Sequence, residues 1–381
     1  MENENKKSNK GLRVLIIILV IALGITIIVD LLMNYVPLKD IFSQTVNYNT
    51  QKEVTVTDKG IADAVEKLYD ATVIVEVGTG GKLSGWGSGV VYNKDDKYGY
   101  ILTNHHVVDE ANEITVVYSD ETTTDAELIG SDEYADIAVL RVPVKSVKAV
   151  AEIGESENVR VGDTVFAVGT PVSLEYSFTV TRGILSGKNR MVEMTSSKSN
   201  ATNFFGQKTS ESWYMNLLQI DASINSGNSG GPLANSNGEV IGITNSKLSS
   251  SYSQTSIENM GFAIPIEDAL SVAQKLIDNN GKIKRPVLGV SMTNVSGASY
   301  YDIKLSDSIK QGAVVVDVSK DSVADAAGLK KGDVITKLDD YEISDYEYLK
   351  YYLYRYNVGD KVKITYIRNG KENTTTVTLK D

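Results

Sequence analysis

Apolar residues follow three different rhythms along this chain. From Val14 to Val29, "VLIIILVIALGITIIV", sixteen positions pass without a charge, and "LLMNYV" prolongs the run beyond Asp30. Together they reach the roughly 20 residues that a helix needs to cross a bilayer. From residue 73 to residue 265 the rhythm shortens. Small apolar runs such as "TVIVEVG", "GSGVVYN", "GYILTN", "EITVVYS", "DIAVLRV", "DTVFAVGT", "GEVIGITN" and "GFAIP" alternate with Gly, Asn and Asp clusters. Many strands at this spacing predict a barrel or sandwich. The third rhythm is helical. It places Ile61, Val65 and Leu68 on one stripe, and Leu270, Ala273 and Leu276 on another that starts after Pro265 and stops at Asn280-Gly281.

These rhythms divide the chain into a polar tail (1–11), an apolar segment (12–35), a polar aperiodic linker (36–58), a β-rich domain (59–282) and a strand-rich second unit (283–381) with one helix near 344–356. Lys6, Lys7, Lys10 and Arg13 precede the apolar segment, and no small-x-small cleavage site follows it. The expectation is an uncleaved transmembrane anchor with the tail in the cytoplasm and everything after it outside. The polar stretch 195–212, "TSSKSNATNFFGQKTSES", is expected to form an exposed mobile loop.

Composition narrows the chemistry. A formal charge of −11 without a dense Lys/Arg stripe argues against a nucleic-acid surface. With no cysteine at all, disulfides, thiolate metal sites and cysteine nucleophiles are excluded. The only two histidines are neighbours, His105 and His106, in "YILTNHHVV". On a strand adjacent side chains point to opposite faces, so the two imidazoles cannot share one task or chelate one metal ion.

"NSGNSGGPL" (225–233) surrounds Ser229 with glycines. Small neighbours let a backbone approach a substrate closely and let successive N–H groups converge on one oxyanion. "GNSGG" also fits the G-x-S-x-G elbow of α/β-hydrolases, but those enzymes need a histidine after the serine. Here both histidines come first, His106 by 123 residues, so that fold is excluded. The order His…Asp…Ser is that of chymotrypsin-like enzymes. Among the acids between the two, only Asp136 directly heads an apolar strand, "DIAVLRV", where a carboxylate could be buried against an imidazole. His106 sits where a strand runs into a turn, and His105 is expected to face away.

The set "GSGVV…YILTNHHVV", "ADIAVLRV", "VGTP", "TVTRGILSG", "QIDASINSGNSGGPL", "GEVIGITN" and "GFAIPIE" resembles the HtrA (DegP/DegS-like) serine proteases over residues 60 to 381. The resemblance implies an all-β, chymotrypsin-like double β-barrel with Ser229 as nucleophile, His106 as base and Asp136 fixing the imidazole tautomer. It also implies an oxyanion hole from the N–H groups of Gly227, Asn228 and Ser229. By the same analogy Ile224 and Leu248 wall an S1 pocket that prefers medium-sized aliphatic side chains. The insertion at 195–212 is longer than the family pattern.

The second unit, with "RPVLGV", "AGLKKGDVI" and the closing strand pair, resembles an α+β PDZ domain. Such domains capture a C-terminal carboxylate in a backbone nest and add the peptide as an edge strand. Val287, Leu288, Gly289 and Val290 fit the nest, and the tyrosine-rich helix "SDYEYLKYYLYRY" fits the opposite wall. The resemblance thus implies a membrane-anchored endopeptidase acting on unfolded or damaged proteins, without metal or organic cofactor and assembled as a homotrimer. Two other readings stay open: a PDZ-mediated binding or chaperone protein, and a signalling protease that cuts one partner.

Overall fold

The computed structural model describes residues 15–26, 58–195, 201–202, 208–209, 212–246 and 259–381. The chain splits into a unit ending at Thr55 and a unit from Val56 to Asp381. In the first, residues 15–26 of the apolar segment are helical with their side chains mostly exposed. Among the described residues no helix is long and apolar enough to cross a membrane. The expected linker, apart from its last residue, lies outside the described residues.

The second unit opens with the helix Asp58–Tyr69, which buries Ala64 and Leu68. Seven strands then form one antiparallel sheet: β1 (Thr72–Thr79), β2 (Lys82–Lys94), β3 (Tyr98–Thr103), β4 (Glu113–Val117), β5 (Thr123–Asp125), β6 (Glu127–Asp132) and β7 (Ile137–Pro143). Their order is β5-β4-β1-β2-β3-β7-β6, and the sheet stays open. β7 shows why its sequence is a continuous apolar run instead of an alternation. Ala138, Leu140 and Val142 enter a cluster with Val73, Val75 and Ile101, while Ile137 and Val139 enter a second cluster with Phe166 and Ile243. Both faces are covered, so both need apolar side chains.

The following strands are β8 (Thr164–Gly169), β9 (Thr179–Thr195), β10 (Ala201–Thr202), β11 (Lys208–Thr209), β12 (Ser212–Ile220), β13 (Pro232–Asn235), β14 (Val240–Thr244) and β15 (Gly261–Pro265). Six of them close a barrel in the order β12-β15-β14-β13-β8-β9. The expectation of two closed barrels is therefore corrected to one closed barrel beside one open sheet.

The insertion also departs from the expected loop where it is described. β9 and β12 remain paired out to Thr195 opposite Ser212, and β10 pairs with β11 beyond them. The base of this extension is held by alternation that polar neighbours obscure, since Val192, Met194, Trp213 and Met215 are all buried in one cluster. The helix Ile266–Asp278 then covers the structure, burying Ala269, Ala273 and Leu276.

The C-terminal domain has β16 (Val290–Asn294), β17 (Ala313–Val318), β18 (Val334–Leu338), β19 (Tyr341–Glu342), β20 (Lys361–Arg368) and β21 (Lys371–Thr378). They run in the order β16-β17-β18-β20-β21, with β19 paired to β18. β16 is thus an edge strand. The helix Tyr346–Leu353 is capped by the Asp345 carboxylate, which accepts from the Tyr348 N–H at 2.8 Å. Its tyrosines pack both within the domain, where Tyr352 stacks on Tyr341 at 4.3 Å, and between domains: Tyr348 meets Tyr214 of β12 edge-on at 5.4 Å, and just past the helix Tyr354 meets Tyr134 at 5.5 Å.

Candidate active site

β3 ends at Thr103, Asn104 is buried, and the chain then turns into the single helical turn His105–Val108. The two histidines therefore diverge by about 100° as helical neighbours, not by strand alternation. This corrects the reason for their separation, while the separation itself holds. His105 Nδ1 lies 2.9 Å from Ser131 Oγ, and its Nε2 lies 3.9 Å from Asp109. His106 Nδ1 lies 2.7 Å from Asp136 Oδ2, and the His106 backbone N–H donates to Asp136 Oδ1 at 2.9 Å.

Asp136 ends a tight turn in a left-handed conformation, φ 50°, directly before β7. Asn104 Nδ2 donates to its carbonyl at 2.8 Å, and Asn245 Nδ2 donates to its Oδ2 at 2.7 Å. A buried carboxylate needs such donors, because an unpaired buried charge is strongly destabilising. The carboxylate takes three: two from His106 and one from Asn245.

Ser229 lies in the loop between β12 and β13, packed onto the open sheet. The Ser88 N–H of β2 donates to the Ser229 carbonyl at 2.8 Å, and Ser88 Oγ donates to the Gly227 carbonyl at 2.7 Å. The glycines are dictated by this closeness. Gly227 has φ 97°, and a Cβ there would stand 2.0 Å from the Thr170 carbonyl oxygen. Gly230 has φ 85°, and a Cβ there would stand 2.2 Å from the Ser88 carbonyl oxygen. Side chains at either position would meet both a strained conformation and backbone atoms.

The structure brings His106 and Asp136 into contact but turns the Ser229 hydroxyl elsewhere. Ser229 Oγ lies 2.6 Å from Ser246 Oγ and accepts the Ser246 N–H at 3.1 Å. Ser229 is only 3 % exposed. Of the three expected oxyanion donors, the Asn228 N–H already donates to the Asn225 carbonyl at 3.0 Å. Ile224 is buried against Gly261 and the barrel core. Leu248 lies outside the described residues.

In the PDZ unit the Val287 N–H donates to the Lys380 carbonyl at 2.8 Å, so it is not available to a carboxylate nest. Leu288 is buried, and Gly289 leads into Val290 at the start of the edge strand. Among the described residues no cluster of acidic or histidine side chains is arranged to hold a metal ion. Sequence reasoning missed Asn104, Asn245, Ser246 and Ser88. For Ser88 the signal was its own motif, "GSGVV", just before the fully buried pair Val90 and Val91.

Known proteins share this architecture. The trypsin-like peptidase domain profile matches residues 87–243, and the PDZ domain profile matches residues 286–379. Serine protease Do-like HtrA of Lactococcus lactis is 41% identical over 302 residues, covering 78% of this chain and 71% of the relative. Serine protease Do-like HtrB of Bacillus subtilis is 40% identical over 340 residues, covering 84% and 70%. Among solved structures, the HtrA-type protease AlgW with tripeptide is 33% identical with a TM-score of 0.64, covering 84% of this chain and 96% of that one. The serine endoprotease from Yersinia pestis is 30% identical with a TM-score of 0.59, covering 84% and 97%. With a trypsin-like domain, a C-terminal PDZ domain and relatives of this identity and coverage, the chain belongs to the HtrA family of serine proteases.

Proposed function

We propose that this peptide hydrolase is a membrane-anchored endopeptidase that acts outside the cytoplasm on unfolded or damaged proteins, with Ser229, His106 and Asp136 as its triad. The observation that carries the assignment is the 2.7 Å contact between His106 Nδ1 and Asp136 Oδ2. That bond makes Nδ1 the protonated nitrogen and leaves Nε2 as the base. When Ser229 leaves Ser246 and turns to His106, its oxygen attacks the scissile carbonyl while Nε2 takes its proton. The N–H groups of Gly227 and Ser229 receive the charge that develops on the carbonyl oxygen. His106 then returns the proton to the leaving amine, and water repeats the sequence on the acyl-enzyme.

The uncharged run Val14–Val29 with basic residues on its N-terminal side supports the anchor and its orientation. An S1 pocket with Ile224 and Leu248 would favour aliphatic P1 residues. The proposed boundaries are 59–282 for the protease domain and 283–381 for the PDZ domain, and a homotrimer is the assembly that family membership suggests. Casein hydrolysis by the full chain tests the reading. Ser229→Ala should abolish both hydrolysis and fluorophosphonate labelling, and labelling that persists at Ser226 would overturn it.

A further inference from the structure

A cavity of about 190 Å³ lies between the protease and PDZ domains, and neither Ser229 nor a residue of β16 lines it. Its apolar lining comes from Trp213 and Met215 of β12, Ile264 of β15 and Val272 of the covering helix. Neither the peptidase chemistry nor peptide capture at the PDZ edge requires a cavity here.

Its charges are unevenly matched. In a chain of net charge −11, four cations line this one cavity, Lys275, Arg285, Lys350 and Arg355, against the two carboxylates Glu267 and Asp268. Most of these have partners. Glu267 accepts from the Ser156 N–H and hydroxyl, each at 2.6 Å. Asp268 meets Arg355 at 3.1 Å. Arg285 meets Asp132 at 2.5 Å and lies over the rings of Tyr134 and Tyr354. Lys350 also lies over the Tyr134 ring.

Lys275 differs from the others. Its ammonium donates to the Arg355 carbonyl at 3.3 Å, and among the described residues no carboxylate pairs with it. Burial and the nearby Arg285 guanidinium push its pKa down, against smaller opposing effects of Asp360 and Asp132. A half-buried cation with no carboxylate in contact is a site at which an anion is stabilising. The neighbouring Arg285 Nε is, in addition, a buried donor without an acceptor.

We propose that this cavity binds a small carboxylate with an apolar tail, the carboxylate pairing with Lys275 and the tail resting on Trp213, Met215 and Val272. Such sites join an apolar surface to a few placed polar groups. Tyr134 and Ala135 form part of the wall, and the Trp213 indole N–H donates to the Tyr134 carbonyl at 2.8 Å. Asp136 is the next residue along. An occupant therefore touches the turn that positions this carboxylate, and occupancy alters peptide hydrolysis. That last step rests on the triad proposed above, whereas the binding does not.

The test uses the full chain and 3-phenylpropionate, with 3-phenylpropanol as the uncharged control. Trp213 fluorescence should report saturable binding of the acid, with the alcohol at least about tenfold weaker, the loss expected with a charge-assisted bond. Lys275→Met should weaken the acid by a similar factor and leave the alcohol unchanged, while Lys275→Arg should keep the preference. Trp213→Phe should remove the signal, leaving Trp86 silent. Equal binding of acid and alcohol, or wild-type binding by Lys275→Met, would overturn the site. So would displacement by a peptide with a free C-terminus at the PDZ edge. Saturating 3-phenylpropionate should also change kcat/KM for a peptide substrate in the wild type and not in Lys275→Met. Binding with unchanged kinetics would overturn the coupling. Failure of the triad reading would show separately, as fluorophosphonate labelling that survives Ser229→Ala.

Discussion

The resting contact between Ser229 and Ser246 makes a quantitative expectation for Ser246→Ala. The substitution deletes the Ser246 hydroxyl, 2.6 Å from Ser229 Oγ, and keeps the backbone N–H that reaches the same oxygen at 3.1 Å. A neutral hydroxyl pair contributes a net of about 0.5–1.5 kcal/mol. If the nucleophile must break that pair before it can bond to His106, its loss lowers the barrier by that amount. Each 1.36 kcal/mol is tenfold in rate, so attack should accelerate by about two- to thirteenfold. The assay is the second-order rate of fluorophosphonate labelling, which reads the nucleophile without occupying most of the peptide-binding cleft. Ser246→Thr, which keeps a hydroxyl, should label close to the wild-type rate. Labelling of Ser246→Ala at or below the wild-type rate would refute the reasoning, because Ser246 would then not restrain the nucleophile.

Other expectations follow from the same geometry. Removing His106 by alanine should lower kcat by several orders of magnitude, as loss of a triad member does, whereas His105→Ala should lose only its contacts with Ser131 and Asp109 and retain most activity. Equal collapse of both folded variants would contradict the assignment. Gly230→Ala places a Cβ 2.2 Å from the Ser88 carbonyl at φ 85°, so it should destabilise the protein by about 2 kcal/mol or more, read as a lower Tm. An unchanged Tm would show that the loop relaxes freely. Peptides with apolar free C-termini should bind the PDZ unit and lose most of their affinity on amidation, measured by calorimetry, since an amide lacks the charge the nest complements. Indifference to amidation would reject the nest.

Much of this molecule was legible in its sequence, for identifiable reasons. Chain order and the glycine-rich surroundings of Ser229 selected a triad from two histidines and many acids. Asp136 stood out because it heads a strand buried on both faces. The residues missed are small and polar, and only tertiary proximity gives them meaning. Asn245 is more than 100 residues from the carboxylate it holds, as is Ser88 from the loop it clamps. β9 and β12 were obscured because Val192, Met194, Trp213 and Met215 alternate with Glu193 and Tyr214 and border a long polar stretch. Whether the first sheet closes depends on how its edges meet, which apolar periodicity does not record. The tyrosines of the PDZ helix were ambiguous from sequence because the aromatic partners Tyr134 and Tyr214 belong to another domain.

Those partners bear on how the protein comes apart. Arg285, near the start of the PDZ domain, is ion-paired to the protease domain and lies over one ring from each side, 4.5 Å from Tyr134 and 4.7 Å from Tyr354, which also meet each other edge-on. Desolvated cation–π contacts contribute up to about 2 kcal/mol each, a sizeable share of the 5–15 kcal/mol that holds a typical domain folded. Neither domain can unfold without exposing this cluster, so heat should melt the two in one cooperative transition. Arg285→Ala should split that transition in calorimetry. It follows that a chain cut at residue 282 would be a less stable protease, and not simply a shorter one.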